Sequence, residues 1–170
     1  MEQQIQDILA EELVEQVLVG VLGVADLLTD HFVRDLHRRL YAPVWEWGGR
    51  QRARETNIGI APEHIAVELH HSLDDLRYRS EHEPGMTPRA LGIAVHAALV
   101  HIHPFDGNGR VTRLLADLVF LAAQDDEPLL AYDWEIDRRT YIRLLGNYDQ
   151  NRDPSELVAF IPVTEWAEED

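Results

Sequence analysis

The residues between His103 and Arg113 are of the types that bind and transfer phosphate. They comprise an imidazole, a carboxylate, two glycines, an asparagine and two arginines within eleven residues of otherwise apolar sequence. A glycine-rich turn that opens a helix is an anion site, because backbone N–H groups converge there and the helix dipole adds partial positive charge. Gly107 and Gly109 permit such a turn, and the apolar run from 111 to 123 predicts the helix that follows it.

Each charged residue of this cluster has a chemical role that its position favours. Arg110 and Arg113 are three residues apart on the predicted helix, so they share a face and can clamp phosphates together. His103 ends the preceding helix, where it can act on a nucleophile that attacks the bound phosphate. Asp106 is the carboxylate inside the loop, and one or two carboxylates with phosphate oxygens are what Mg²⁺ usually takes. Capping alone explains glycines in a helix turn, but not this combination.

The composition excludes several kinds of chemistry. The 170 residues are 45% apolar and 27% charged, which indicates one packed domain. A formal net charge of −16 disfavours bulk nucleic-acid binding and anionic membranes. All fifteen basic residues are arginine, so no lysine-dependent phosphate site or Schiff base is available. The absence of cysteine excludes disulfides, thiolate zinc sites and a cysteine nucleophile.

The N-terminal region carries no predicted export or membrane signal. It lacks a basic segment followed by a cleavage pattern. Its most apolar stretch, residues 13–28, contains Glu15 and Asp26 and falls short of the ~18 uninterrupted apolar residues that span a bilayer. We therefore expect a cytoplasmic chain without a membrane span.

Helical periodicity extends over most of the chain. Capping signals at Thr29 and at Thr87–Pro88 predict two helix starts, and Pro104 predicts that the helix entering the cluster stops at His103. The first helix is apolar over a broad face, which predicts packing on a partner or a second copy of the chain. The apolar spacings that predict the helices run over 5–28, 32–41, 67–76, 90–102, 111–123, 137–148 and 155–160.

One segment breaks this periodicity. Between Arg50 and Ile65, alternating Thr56, Ile58 and Ile60 around a glycine predict a short β-hairpin, the only strand signal in the sequence. The expected fold class is all-α, a bundle of about seven to eight helices with a small β-hairpin flap over the active-site loop.

The cluster resembles the motif of the Fic family, H-P-F-x-[D/E]-G-N-G-R-x-x-R, where this chain reads H-P-F-D-G-N-G-R-V-T-R. The likeness covers residues 28–161 of what we expect to be a single domain. It leaves a helix over 1–27 mostly outside the match and an acidic tail at 162–170. It is strongest to the compact branch called mobile mystery protein B. The other similar segments are Leu36–Leu40, Val44–Gly49 with Arg52, Asn57–Ile60, Tyr141 and Asp153–Ile161.

The resemblance implies transfer of AMP from ATP to a Ser, Thr or Tyr hydroxyl of a target protein, with pyrophosphate leaving. It makes His103 the general base, Phe105 the core anchor of the loop and Asp106 the Mg²⁺ ligand. It assigns the α and β phosphates to Gly107, Asn108 and Gly109, and the β and γ phosphates to Arg110 and Arg113. The flap residues Asn57, Ile58, Gly59 and Ile60 would pair with an extended target segment.

The motif departs from the family in one respect: it is one residue shorter between Phe105 and Asp106. One residue is about 3.5 Å of chain, whereas catalytic positioning tolerates about 0.5 Å. Either the preceding helix extends or shifts, or the nucleotide binds differently, or activity is lost. A kinase like that of the Doc branch and a non-catalytic binding module therefore stand as alternatives, although the intact G-N-G-R favours AMP transfer.

Many Fic proteins carry an inhibitory helix with the pattern S/T-x-x-x-E-G/N. Before the flap this chain has only Thr29, with Val33 four residues on. Thr164 and Glu168 fit the spacing, but Glu169 stands where glycine or asparagine belongs, and we interpret the match as chance. A separate antitoxin-like partner, as for the toxin of a toxin–antitoxin pair, is then the simpler expected inhibitor.

Overall fold

The computed structural model describes residues 1–167, which form eight α-helices, one 3₁₀ turn and two short strands. The strands pair antiparallel, with Ala131 opposite Thr164. Within these residues no helix has the length and apolarity needed to cross a bilayer. The elements are α1 Glu2–Leu18, α2 Val24–Leu27, α3 Asp30–Tyr41, the 3₁₀ turn Pro62–His64, α4 Ile65–His82, α5 Pro88–Ile102, α6 Asn108–Ala123, β1 Leu130–Tyr132, α7 Arg138–Asn151, α8 Ser155–Phe160 and β2 Val163–Glu165.

Helices α5 and α6 form the centre of the molecule, as their apolar sequences predict. They pack on each other, and α1, α3, α4, α7 and α8 surround them. The predicted starts are confirmed, since Thr29 Oγ1 accepts from Phe32 N–H at 3.1 Å and Thr87 Oγ1 accepts from Ala90 N–H at 3.1 Å. The all-α expectation is therefore confirmed, and the loop between α5 and α6 starts from two rigid, buried elements.

The first helix is shorter than its periodicity predicts. It ends at Leu18, Gly20 takes a positive φ of 79°, and a separate short helix follows at α2. Apolar spacing continues past the break because Leu22 and Leu27 pack inward, but the turn itself leaves Val19 and Val21 exposed, and glycine ends the helix. Leu9, Leu13 and Val17 lie in the chain's own core, against α6 and α3, so much of the broad apolar face is used internally.

The predicted β-hairpin at 50–65 is wrong. The only β pairing of that segment is an isolated antiparallel bridge between Gln51 and Phe105, and the paired strands lie at 130–132 and 163–165 instead. The carbonyls that a hairpin ladder would use, those of Arg54 and Ile60, accept hydrogen bonds from the Arg52 guanidinium. The expected acidic tail contributes β2 and Trp166, whose N–H donates to Leu129 O at 2.7 Å.

Strand β2 also bears on the inhibitory pattern. Thr164 lies within β2, so no inhibitory helix begins there. The other two residues of that pattern, Glu168 and Glu169, lie outside the described residues.

His96 is a packing residue, as expected for a histidine on a buried helix. It is fully buried on α5 and is joined to the Tyr141 hydroxyl at 2.6 Å. Burial lowers the pKa of His96 to about 4, with a smaller contribution in the same direction from Arg113. The native state therefore holds this ring neutral.

Acid is expected to destabilise the fold through His96. The unfolded chain takes up a proton near pH 6.5 while the native ring does not, so stability is lost as the pH falls from 6.5 towards 4. The loss between pH 7 and pH 4 is roughly 3 kcal/mol. The loss is measured by urea unfolding, as the difference between the pH dependence of the native chain and that of His96→Gln. Taking the difference removes the opposite contribution of Asp117, which both proteins share. Parallel pH profiles for the two proteins would contradict this account.

Candidate active site

The loop from His103 to Gly107 joins α5 to α6, and both of its ends are left-handed. His103 has φ 50° and ψ 62°, and Gly107 has φ 70° and ψ 40°. Pro104 disfavours α geometry at the residue before it, which ends α5 at Ile102. A non-glycine residue in this region stores about 1–3 kcal/mol of strain, so the surroundings must hold His103 in place.

His103 is half-buried and neutral. Its backbone N–H donates to Leu99 O at 2.8 Å, and its carbonyl accepts from Arg52 Nε at 2.9 Å. Burial lowers the pKa of His103, the nearby Arg52 charge lowers it further, and Asp106 opposes the shift. Within residues 1–167 the ring nitrogens of His103 make no hydrogen bond. The imidazole can therefore accept a proton at neutral pH.

Arg52 joins the flap segment to the loop. Only 2% of the residue is exposed, and its guanidinium donates to four carbonyl oxygens. Its own N–H donates to Pro104 O at 2.8 Å. The four carbonyls and their distances are His103 at 2.9 Å, Arg54 at 2.6 Å, Ile60 at 2.5 Å and Ile102 at 3.4 Å. Sequence reasoning noted Arg52 only as part of the family resemblance, because no local pattern shows what a distant guanidinium will bind.

Within residues 1–167, the backbone N–H groups of Asn108 and Gly109 in the first turn of α6 have no hydrogen-bond partner, and that of Arg110 faces the Tyr41 hydroxyl. The N-cap of α6 is Gly107, which has no side chain to cap these groups. A Cβ built at Gly109 would meet nothing within 4 Å, so open space lies beside this turn. Asn108 Nδ2 donates to Leu99 O at 3.1 Å, which ties the turn to α5. Its Oδ1 is buried without a hydrogen-bond partner among the described residues. The geometry is that of an anion cradle.

Asp106 is held through its backbone. Its carbonyl oxygen accepts a hydrogen bond from His37 Nε2 at 2.8 Å. The residue is half-buried, and its charge acts on both His37 and His103. Residues 1–167 contain no group of three or more His, Asp or Glu side chains arranged to hold a metal. One carboxylate is, however, the set that Mg²⁺ uses when phosphate oxygens supply other ligands. The donor chemistry therefore fits an ion that arrives with a nucleotide.

Arg110 and Arg113 line one cavity of about 410 Å³, bounded by α1, α6, β1 and Trp166. Arg110 Nη2 lies 2.8 Å from Asp7 Oδ1, so α1 supplies a carboxylate to one of the two arginines. Arg113 is exposed and also lines a second cavity of about 280 Å³ with Trp134 and Tyr141. The structure thus brings the two arginines together as expected, but sequence reasoning missed Asp7, which is 103 residues from its partner.

Asp117 is a further acidic residue in the wall of the larger cavity. Trp134 Nε1 donates to its Oδ1 at 2.9 Å. Burial raises the pKa of Asp117 to about 7, although that hydrogen bond, Arg110 and Arg113 lower it. The carboxyl is thus partly protonated at neutral pH and partly offsets the arginine charge. It too was missed, because a lone acid within an apolar helix has no sequence signature.

The flap residues lie directly over His103, although they form no strand. Ile60 N–H donates to Ile102 O at 3.4 Å, and Ile58 is 60% exposed. Gly59 has φ 92°, and a Cβ there would come within 2.7 Å of His103 Cβ. Glycine is needed here because any side chain would strike the imidazole-bearing residue. Asn57 lies exposed at the outer edge of the same segment.

The fold and this loop together define a class of helical protein. In this class a loop that begins with a histidine, and that can bind an anion, lies between two buried helices. A sequence model described as the Fic/DOC family matches residues 27–120, which include the whole loop. The chain belongs to the Fic/DOC family.

Relatives in the curated proteins agree with this assignment. A protein named protein adenylyltransferase Fic from Drosophila ananassae is 35% identical over 95 residues, which is 54% of this chain and 19% of that protein. Protein adenylyltransferase fic-1 from Caenorhabditis briggsae is 33% identical over 97 residues, 52% of this chain and 18% of that protein. The chain spans about a fifth of the length of these relatives.

Solved structures show the same fold. A Fic-domain-containing signaling protein from Bacteroides thetaiotaomicron superposes with a TM-score of 0.70 at 22% identity, covering 94% of this chain and 62% of that one. The N-terminal Fic domain of a cell filamentation protein from Bartonella quintana, a VirB-translocated Bep effector, gives 0.60 at 18% identity. It covers 91% of this chain and 79% of that one. The expected Fic fold is confirmed.

Proposed function

We propose that this chain transfers AMP from ATP to a Ser, Thr or Tyr hydroxyl of a target protein. The observation that carries the proposal is that the His103 imidazole is neutral and makes no hydrogen bond within residues 1–167. It lies next to the first turn of α6, which has no side-chain cap. Arg110 and Arg113 lie on the same helix and line one cavity. The relatives described above are named protein adenylyltransferases. The family motif lies wholly within the matched residues.

In the proposed reaction the target hydroxyl loses its proton to His103 as its oxygen bonds to the α phosphorus of ATP. The bond from that phosphorus to the oxygen bridging to the β phosphate breaks, and pyrophosphate leaves. The N–H groups of Asn108 and Gly109 stabilise the charge on the phosphates, and the side chains of Arg110 and Arg113 hold the leaving pyrophosphate. Asp106 would hold Mg²⁺, which when bound neutralises phosphate charge.

The flap is proposed as the site where the target docks. Its carbonyls at 54 and 60 are occupied by Arg52, but Ile58 is exposed and the segment lies over His103. A target segment along Asn57–Ile60 would bring its hydroxyl to the imidazole, by main-chain contacts of the kind used in strand addition.

A labelling experiment tests the function. The protein is incubated with Mg²⁺ and a lysate, once with α-labelled ATP and once with γ-labelled ATP, with Asp106→Asn as the low-activity control. Label on protein from the α phosphate alone supports AMP transfer. Label from the γ phosphate alone would instead indicate a kinase like that of the Doc branch. ATP binding without any transfer would indicate a binding module, which the shortened loop keeps as the second candidate.

Removing Asp7 is expected to tighten ATP binding. The Asp7 carboxylate competes with phosphate for Arg110, and both side chains are partly exposed, so the ion pair is worth about 0.2–1 kcal/mol. Asp7→Ala should therefore lower the Kd for ATP by about 1.4-fold to fivefold, measured by calorimetry. Glu11→Ala removes a charge from the same helix but lies outside the ion pairs of residues 1–167. An equal gain with Glu11→Ala would show that only net charge matters.

This contact also bears on inhibition. The Asp7–Arg110 ion pair restrains the site by about fivefold at most, so a separate antitoxin-like partner is still proposed as the inhibitor. A partner that covers α1 would strengthen the same restraint.

A further inference from the structure

His37 lies in the middle of α3 and is completely buried. Both of its ring nitrogens contact backbone groups of other segments. Nδ1 lies 2.8 Å from the N–H of Gly49, and Nε2 lies 2.8 Å from the carbonyl oxygen of Asp106. One side chain thus connects a helix, the turn at 47–49 and the loop that precedes α6.

These two contacts fix the chemical state of the ring. The Gly49 N–H can only donate, so Nδ1 must accept, and the Asp106 carbonyl can only accept, so Nε2 must carry the proton. The neutral Nε2–H tautomer alone satisfies both groups. Burial lowers the pKa of His37, against smaller raising effects of Asp106, which agrees with a neutral ring.

The ring is also packed from several sides. It stacks on Phe105 with centroids 4.4 Å apart and planes at 18°, and it contacts Tyr41 and Trp47 at 4.7 and 5.7 Å. Trp47 in turn lies against Gly107, where a Cβ would come within 3.0 Å of its ring. The aromatic cluster leaves the end of the loop little freedom.

The division of contacts along the loop is informative. Arg52 holds its first half, at the carbonyls of His103 and Pro104. His37 holds its second half, at the carbonyl of Asp106. On either side of that carbonyl lie the Asp106 carboxylate and the first N–H groups of α6, which are the groups that would face a ligand.

We propose that His37 is a positioning residue that sets the direction of the Asp106 carboxylate and of the first N–H groups of α6. The inference rests on the proposed function only for the identity of the ligand, a nucleoside triphosphate with Mg²⁺. The proposal explains how a loop that is one residue shorter than the family motif is held in place. The His37 ring links the Gly49 N–H to the Asp106 carbonyl and does not itself touch the ligand.

Two variants separate the hydrogen bonds from the packing. His37→Phe keeps an aromatic ring but makes neither bond, whereas His37→Gln can accept from Gly49 with its oxygen and donate to Asp106 with its nitrogen. Leu73→Val, a buried change in α4 away from the loop, controls for lost stability. We expect His37→Phe to weaken MgATP binding about tenfold by calorimetry and to lower kcat more than it raises KM. His37→Gln should recover most of both, and Leu73→Val should change neither.

Native-like MgATP binding by folded His37→Phe would overturn the proposal, as would a loss in His37→Gln as large as that in His37→Phe.

Because His37→Phe can fail to fold, the native protein provides a second measurement. Nitrogen NMR of the histidine rings at pH 7.5 should show His37 as the Nε2–H tautomer. The other tautomer would overturn the proposal. Native protein that binds MgATP but transfers nothing refutes only the proposed function. Native protein that does not bind MgATP refutes both.

Discussion

Replacing His103 by alanine is expected to lower the rate of AMP transfer by about 10²–10⁴-fold, the usual contribution of a positioned general base. The His103 ring is the one neutral base in the loop, and it makes no hydrogen bond within residues 1–167. Without it the target hydroxyl keeps its proton as it attacks. ATP binding should change little, because the phosphates contact the N–H groups of α6 and the two arginines instead. Transfer is measured with α-labelled ATP, and binding is measured by calorimetry.

The pH dependence provides an independent check on the same residue. The neutral ring is the active form, so the rate falls as the pH drops through the native pKa of His103. Burial and Arg52 lower that pKa below 6.5, and therefore the rate at pH 6.5 should stay above about half of its value at pH 7.5. His101→Ala, on the same helix but paired with Asp149 instead, is the matched control. A loss of transfer in His101→Ala equal to that in His103→Ala would contradict this assignment.

The local features of the fold were predictable from sequence where one short signal decides them. Thr87 followed by Pro88 sets the start of α5, and Pro104 sets its end, because both act on the backbone within a few residues. The same holds for the loop, because the spacing of glycine and proline places the turn between α5 and α6, where we propose the phosphate site. The helix at the N-terminus was overestimated because apolar periodicity runs through Gly20 without showing that the chain turns there.

The remaining features depend on contacts between distant residues. The flap alternates apolar and polar residues as a hairpin does, but its carbonyls are bound by a single buried guanidinium, which replaces the ladder. The observed strands are only three residues each and pair across more than thirty residues of chain. Asp7 reaches Arg110, and His37 reaches Asp106, through packing of whole helices. No local pattern records these contacts, which is why they were found only in the structure.

Replacing Arg52 by methionine is expected to lower the free energy of unfolding by about 2–4 kcal/mol. Removing a buried charge relieves some desolvation, which favours the variant. Against this, the carbonyls of His103 and Ile60 lose their donors, and that of Ile102 keeps only the 3.4 Å contact with Ile60 N–H; each unsatisfied buried group costs about 1–3 kcal/mol. The exposed carbonyl of Arg54 can return to water. The buried carbonyls decide the sign, and urea unfolding measures it against Arg50→Met, an exposed arginine two residues earlier.

The same substitution should move the catalytic pH profile. Without the Arg52 charge the pKa of His103 rises towards its ordinary value, so the acid limb of the transfer rate shifts to higher pH. Arg52→Lys separates the two effects, because it keeps the charge but cannot donate to four carbonyls at once. We expect it to lose stability while its acid limb stays near that of the native chain. A limb that shifts equally in both variants would show that the flap geometry, and not the guanidinium charge, keeps His103 neutral.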